Sequence, residues 1–267
     1  MQPISLIQGR IALSFHLVSG EVVKNVLQQL GYDVEVQTAS HEEMFERQRS
    51  GDIDILIGWL EGSHGKYLDA YRNESIVLPG PVYQPYCIWG VPEYVPEEAV
   101  QSVSDLLKPE VAEKMAKCIQ GINPGAGISR FSQEIIKDYG LDHLGYFFQP
   151  GTEEQCFGAL ENAYLTKQWL VIPLWHPQFL HQTYKIRPLK EHKRLLRGVD
   201  QAQIIIHKSA AHKFSQKAID VLSRIQISNQ GVTYMDYLYN RKGLSVPQAA
   251  QKWISENQEL YNSWFQA

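Results

Sequence analysis

Hydrophobic periodicity switches four times within the first 60 residues, and this alternation restricts the fold more than any other feature of the chain. Ile4, Leu6, Ile7 and Ile11 predict a strand over residues 4–12. Val18, Val22, Val26 and Leu30 then recur at a spacing of four, with Val23 and Leu27 beside them. That spacing predicts a helix, and Gly31 sits where a helix C-terminus favours glycine. Val34 and Val36 alternate as in a strand. Ser40-His41-Glu42-Glu43 has the pattern of a capping box and opens a helix reaching Ser50-Gly51. Asp52-Ile53-Asp54-Ile55-Leu56-Ile57 predicts a third strand leading into Gly58-Trp59. The order βαβαβ calls for parallel strands joined by right-handed crossovers.

The pattern breaks over residues 60–100, which hold five of the 13 prolines and many aromatics. This stretch reads as an irregular crossing. A second βαβαβ run follows. Cys118–Ile122 is its first strand, and Asn123-Pro124-Gly125-Ala126-Gly127 is a Gly-rich turn. Phe131, Ile135, Ile136 and Tyr139 mark a helix closed by Gly140, and Tyr146–Gln149 is a strand. Thr152-Glu153-Glu154-Gln155 is a second capping box. Trp169–Leu174 is the last strand, ending at Trp175-His176-Pro177. Residues 201–206 give one more strand, and helices are predicted over 212–227 and 246–264. Two α/β lobes follow from this: residues 1–88 with 195–267, and residues 89–194. A ligand is expected in a cleft between them, at the carboxyl ends of the strands.

Composition removes several classes. Of 267 residues, 44% are hydrophobic and 20% charged, which argues for a folded domain rather than disorder. The formal net charge of −4 lacks the basic surplus of a nucleic-acid binder. No apolar run approaches the roughly 20 residues that span a bilayer. Cys87, Cys118 and Cys156 form no C-x-x-C pair and read as free thiols. The N-terminus shows no signal peptide, so the chain is either cytoplasmic or numbered from a processed end.

Aromatic residues concentrate at the expected carboxyl ends of strands. Phe15 and His16 follow the first strand, Trp59 the third, and Trp175 the last of the second lobe. Tyr83, Tyr86 and Trp89 lie on the crossing. Several π faces around a small void suit a quaternary ammonium, a soft cation with no proton to donate. Each face contributes about 0.5–2 kcal/mol once desolvated. For any one ring, capping of the core is the competing reading. Backbone N–H groups at the helix starts Ser14–His16 and Gly125–Ile128 suit a carboxylate. The turn around Gly125 is not G-x-G-x-x-G, because Arg130 takes the third glycine place.

At this point the sequence resembles the substrate-binding proteins of glycine betaine/choline/proline-betaine ABC importers. The matching segments are Gly51–Tyr67, which contains Asp-Ile-Asp-Ile-Leu-Ile-Gly-Trp59, and Tyr86-Cys-Ile-Trp89-Gly-Val-Pro-Glu-Tyr94. Gly121-Ile-Asn-Pro-Gly-Ala-Gly127 and Ile172-Pro-Leu-Trp175-His-Pro177 complete the ordered set. The resemblance implies a type II periplasmic-binding-protein fold that closes on its ligand. It also implies an aromatic box for a trimethylammonium group, with Trp59 and Trp175 as box tryptophans and Tyr86 or Trp89 as a further wall. The turn after the first strand, where the family often carries another Trp, here reads Gly9-Arg10-Ile11. Glu61 stands where many members have Pro, and Gln178 where many have His.

The expected function is therefore a non-catalytic, extracytoplasmic receptor that delivers a quaternary-ammonium solute to the membrane permease of an ABC importer. It is expected to act as a monomer, with no cofactor, metal or nucleic-acid partner. The candidate ligand-binding residues are Phe15, His16, Trp59, Tyr83, Tyr86, Trp89, Gly125, Trp175 and His176. Two other readings share the scaffold: a receptor for an amino acid or polyamine, and an enzyme. The enzyme reading finds no support in local motifs. His41-Glu42-Glu43-Met44-Phe45 is not H-E-x-x-H, His176 and His181 are five apart, and there is no G-x-S-x-G or P-loop. His64 reads as a residue holding the turn after Trp59.

Overall fold

The computed structural model describes residues 3–266. Its strands are β1 (Ile4–Ile11), β2 (Tyr32–Ala39), β3 (Ile55–Leu60), β4 (Ser75–Val77) and β5 (Tyr86–Pro92). They continue with β6 (Cys118–Gln120), β7 (Phe147–Gln149), β8 (Ile172–His176), β9 (Ile186–Pro188) and β10 (Gln201–His207). The helices of eight or more residues are α1 (Ser14–Gln29), α2 (His41–Arg49), α3 (Gly127–Asp138), α4 (Glu153–Thr166), α5 (Gln216–Ser223), α6 (Ser228–Lys242) and α7 (Val246–Glu256). The chain divides into two compact units. The first comprises the residues up to Pro85, Pro177–Phe179, and the chain from Asp200 onward. The second comprises Tyr86–His176 and Leu180–Val199.

The first unit is built on a five-stranded sheet in the order β2-β1-β3-β10-β4. β1 runs parallel to β2, with Ile4 opposite Tyr32 and Ile11 opposite Ala39, and parallel to β3. β10 is antiparallel to both β3 and β4. Every residue of β3 is buried, as its near-continuous apolar run requires of a central strand covered on both faces. The four-residue spacing of Val18, Val22 and Val26 gives α1 a buried stripe. The C-terminal helices α6 and α7 pack on α1, so the end of the chain completes this unit. Gly31, at φ +92°, follows α1 in the left-handed conformation that glycine adopts without strain.

A buried ion pair ties β1 to α1. Arg10 Nη1 lies 2.8 Å from Glu21 Oε2, and its Nη2 donates to Gln8 Oε1 at 3.0 Å. Gln8 in turn donates to the carbonyl of Gly20 at 2.8 Å. Gly9-Arg10-Ile11 thus belongs to β1 itself rather than to a turn after it, and the Arg10 guanidinium is engaged within the unit.

The second unit departs from the parallel βαβαβ expectation. Only β6 and β7 pair in parallel. β8 pairs antiparallel with β5, which also holds β9, giving the order β8-β5-β9. The missing information lay in β5, a seven-residue strand inside the segment read as irregular. Its prolines, Pro85 and Pro92, fall just before it and on its last position, where a lost N–H costs the ladder least. The expected strand over 169–174 starts at Ile172 and runs to His176. Trp89 crosses the unit from β5 to α3, its indole N–H donating to Ser132 Oγ at 2.8 Å.

Two local expectations also change. Thr152 and Gln155 form the reciprocal capping box, with bonds of 3.2 and 2.9 Å. Ser40 occupies the N-cap of α2 without a side-chain cap bond. The C-terminal region holds α5, α6, α7 and a short helix at Gln258–Ser263 rather than two long helices. α6, which begins at Ser228, lies outside both expected stretches, and the second of them is divided at Asn257. Among the described residues, no helix is long and apolar enough to cross a membrane.

Candidate functional site

In the first unit the candidate residues meet around Trp59, near the carboxyl end of β3. Its ring centroid lies 5.0 Å from Phe15 and 5.5 Å from His16, both in the first turn of α1. Tyr83 meets it edge-on at 6.3 Å, and the indole N–H donates to the Tyr83 hydroxyl at 2.9 Å. Tyr83 is placed by a bridge to Ala202 of β10, which is itself opposite Trp59. Adjacent strand positions thus set the spacing of the two rings.

The turn after Trp59 is fixed by side-chain acceptors. The Trp59 amide donates to His64 Nδ1 at 2.9 Å, and the His64 amide returns a bond to the Trp59 carbonyl at 2.8 Å. Asp200, at the start of β10, accepts the Gly62 and Ser63 amides at 2.7 and 3.0 Å. His64 therefore does hold this turn, and Asp200 does so with it. Asp200 carried no sequence signal, because its partners lie 137 and 138 residues away.

The electrostatics here are those of a neutral aromatic cluster. Burial, together with the nearby His41, holds His16 well below the usual imidazole range. Burial also pushes the Tyr83 hydroxyl up, so it stays protonated. Faces of Trp and Phe beside neutral imidazole and phenol favour a cation that needs no hydrogen bond. The Arg10 guanidinium is held by Glu21 and Gln8.

In the second unit, β5 and β8 place Tyr86 directly opposite His176, and their rings stack at 4.7 Å. His181 stacks on the His176 ring at 3.5 Å, and its Nε2 lies 3.0 Å from the Trp175 carbonyl oxygen. Burial, and then the neighbouring His181, push His176 down to about 3. Burial also holds His181 below the usual imidazole range, so both rings favour the neutral form near pH 7. Spacing along the chain gave no hint of this stack; a helical spacing rule fails because His176 ends a strand. Trp175 is buried, with its ring 6.0 Å from Phe157. Trp89 lies fully inside the unit, bonded to Ser132, and Gly125 sits in the turn before α3 with its carbonyl accepting from Arg130.

Two α/β units, one on a five-stranded sheet and the other on a three-stranded and a two-stranded sheet, fit a type II periplasmic-binding-protein fold. Solved structures bear out this class. Lactococcal OpuAC, closed and complexed with glycine betaine, superposes with a TM-score of 0.85 at 22% identity, covering 98% of this chain and 100% of that one. A glycine betaine/L-proline-binding protein of Borrelia burgdorferi gives 0.85 at 21% identity, covering 97% of this chain and 96% of that one. A choline-binding protein complexed with choline gives 0.83 at 15%, covering 97% and 91%.

The chain belongs to the family of substrate-binding domains of ABC-type glycine betaine transport systems, whose sequence model matches residues 6–256. It is 25% identical over 157 residues to a glycine betaine/carnitine transport binding protein of Listeria monocytogenes serotype 1/2a, strain 10403S. That match covers 59% of this chain and spans about half (52%) of the relative's length.

Proposed function

We propose that this protein captures a small quaternary-ammonium solute, such as glycine betaine, choline or carnitine, outside the cytoplasm and delivers it to the permease of an ABC importer. One observation carries the reading: Trp59, Phe15 and Tyr83 form a neutral aromatic cluster near the end of the central strand of the first unit. The family of substrate-binding domains supports it, as do the glycine betaine and choline bound in the similar structures.

In this reading Trp59 and Phe15 offer π faces to the trimethylammonium head group. Each contributes about 0.5–2 kcal/mol when desolvated. The candidates on the second unit are Tyr86, Trp175 and His176. A carboxylate on the solute would be met by hydrogen bonds from neutral imidazole or helix-terminal amides rather than by a side-chain cation. The protein works as a monomer and performs no chemistry on the solute.

Calorimetry and tryptophan fluorescence with glycine betaine, choline and carnitine test this. Saturable binding of at least one of the three is expected, and it should weaken in Trp59→Ala. If none binds at millimolar concentration, the proposed ligand class is wrong.

A further inference from the structure

Three histidines converge in the first unit beyond what solute capture requires. His16 lies in the first turn of α1, His41 is the first residue of α2, and His64 follows β3. All three are buried, and one ring nitrogen from each lies within 4.8 Å of those of the other two. The His41 and His64 rings are 5.3 Å apart, and His16 and His64 stack at 5.9 Å. His16 Nε2 is buried with no hydrogen-bond partner among the described residues. A buried nitrogen in that state is costly unless something supplies its partner.

We propose that His16, His41 and His64 form a binding site for a divalent first-row transition metal ion, with Zn²⁺ or Co²⁺ as the best fit. Three imidazoles and no carboxylate select borderline ions of this kind over Mg²⁺ or Ca²⁺, which require oxygen ligands. At metal–nitrogen distances of about 2.0–2.1 Å, tetrahedral ligand atoms stand roughly 3.4 Å apart. The ring nitrogens, all within 4.8 Å of one another, would draw in to that separation around the ion. Around them, Phe45 at 5.2 Å from His64, with Trp59 and Tyr67, forms the apolar shell that shields such a centre.

Proton accounting is explicit at His64. Its Nδ1 accepts the Trp59 amide at 2.9 Å, so the proton of the neutral ring is on Nε2. Ligation through the unprotonated Nδ1 forms the metal–nitrogen bond in place of the hydrogen bond from the Trp59 amide, and the ring stays neutral with its proton on Nε2, so no proton is released. The Trp59 amide gives up this acceptor when the ion binds, which couples the ion to the backbone of the aromatic cluster.

Tag-free protein titrated with Zn²⁺ and Co²⁺, with X-ray absorption on the zinc form, tests the site. The expected result is one ion per chain, three imidazole nitrogens in its coordination sphere, and the visible absorption of tetrahedral Co²⁺. His41→Gln should weaken uptake about tenfold or more while leaving solute binding in place. Absence of uptake at micromolar metal, fewer than three imidazoles in the zinc spectrum, or equal uptake by His41→Gln would each overturn the proposal. The spectrum of the unaltered protein decides the matter even if the variant does not fold.

Discussion

The Trp59 indole donates to the Tyr83 hydroxyl at 2.9 Å, and both side chains are buried. Each satisfies the other where water cannot. Tyr83→Phe keeps the ring and removes the acceptor, leaving a buried N–H unpaired. The cost should be about 1–3 kcal/mol of stability, read from urea unfolding. An unchanged midpoint would mean the indole finds another acceptor.

Asp200 accepts two backbone amides of the turn that follows Trp59. Hydrogen bonds to a charged acceptor contribute about 1.5–3 kcal/mol each. Asp200→Ala should therefore destabilise the protein by about 2–4 kcal/mol. It should also loosen solute binding, because the freed turn joins Trp59 to His64. Solute affinity unchanged in a folded Asp200→Ala protein would separate the turn from the binding surface.

The buried Arg10–Glu21 pair predicts a non-additive result. Arg10→Ala strands the Glu21 carboxylate, helped only by Lys24 at 3.8 Å, and should cost about 3–5 kcal/mol. A double replacement, Arg10→Met with Glu21→Leu, removes both charges and should be less harmful than the single change. Urea unfolding of the three proteins provides the comparison.

Asp236 sets a pH dependence of stability. Its fully buried carboxyl accepts the Phe179 amide at 2.8 Å and the Asn240 side chain at 3.0 Å. Burial nevertheless raises it to about 7, against an ordinary value near 4. The folded state thus binds this proton more tightly than the unfolded chain. Its contribution is complete below pH 4 and fades as pH rises towards 7, then stays constant. His176 acts in the opposite sense, since its depressed value makes stability rise from about pH 3 to the ordinary histidine range. Asp236→Asn removes the falling part, so the variant's stability should climb more steeply between pH 4 and 7 than that of the unaltered protein. Parallel curves from thermal unfolding would contradict this assignment.

Much of the first unit was legible because its cause is local. Val18, Val22, Val26 and Leu30 announce α1, and Gly31 ends it. The continuous apolar run of β3 announces a covered central strand. What failed has non-local causes. β5 takes its identity from β8 and β9, about 80 and 100 residues further along, and its flanking prolines resemble those of a loop. Thr152 and Ser40 begin similar tetrads, yet only Thr152 makes its cap, so the motif marks the helix start more reliably than the bond. Of the candidate site, Trp59, Phe15, His16 and Tyr83 share a cluster in the first unit, whereas Trp89 serves the interior of the second. His41 and Asp200 were silent because their roles depend on partners that only the fold supplies.

A crystal structure with glycine betaine or choline bound tests the central claim most directly. The quaternary nitrogen should lie within about 6 Å of at least three aromatic ring centroids, Trp59 among them. A solute bound away from Trp59, or with its cation facing carboxylates instead of rings, would contradict the proposed recognition.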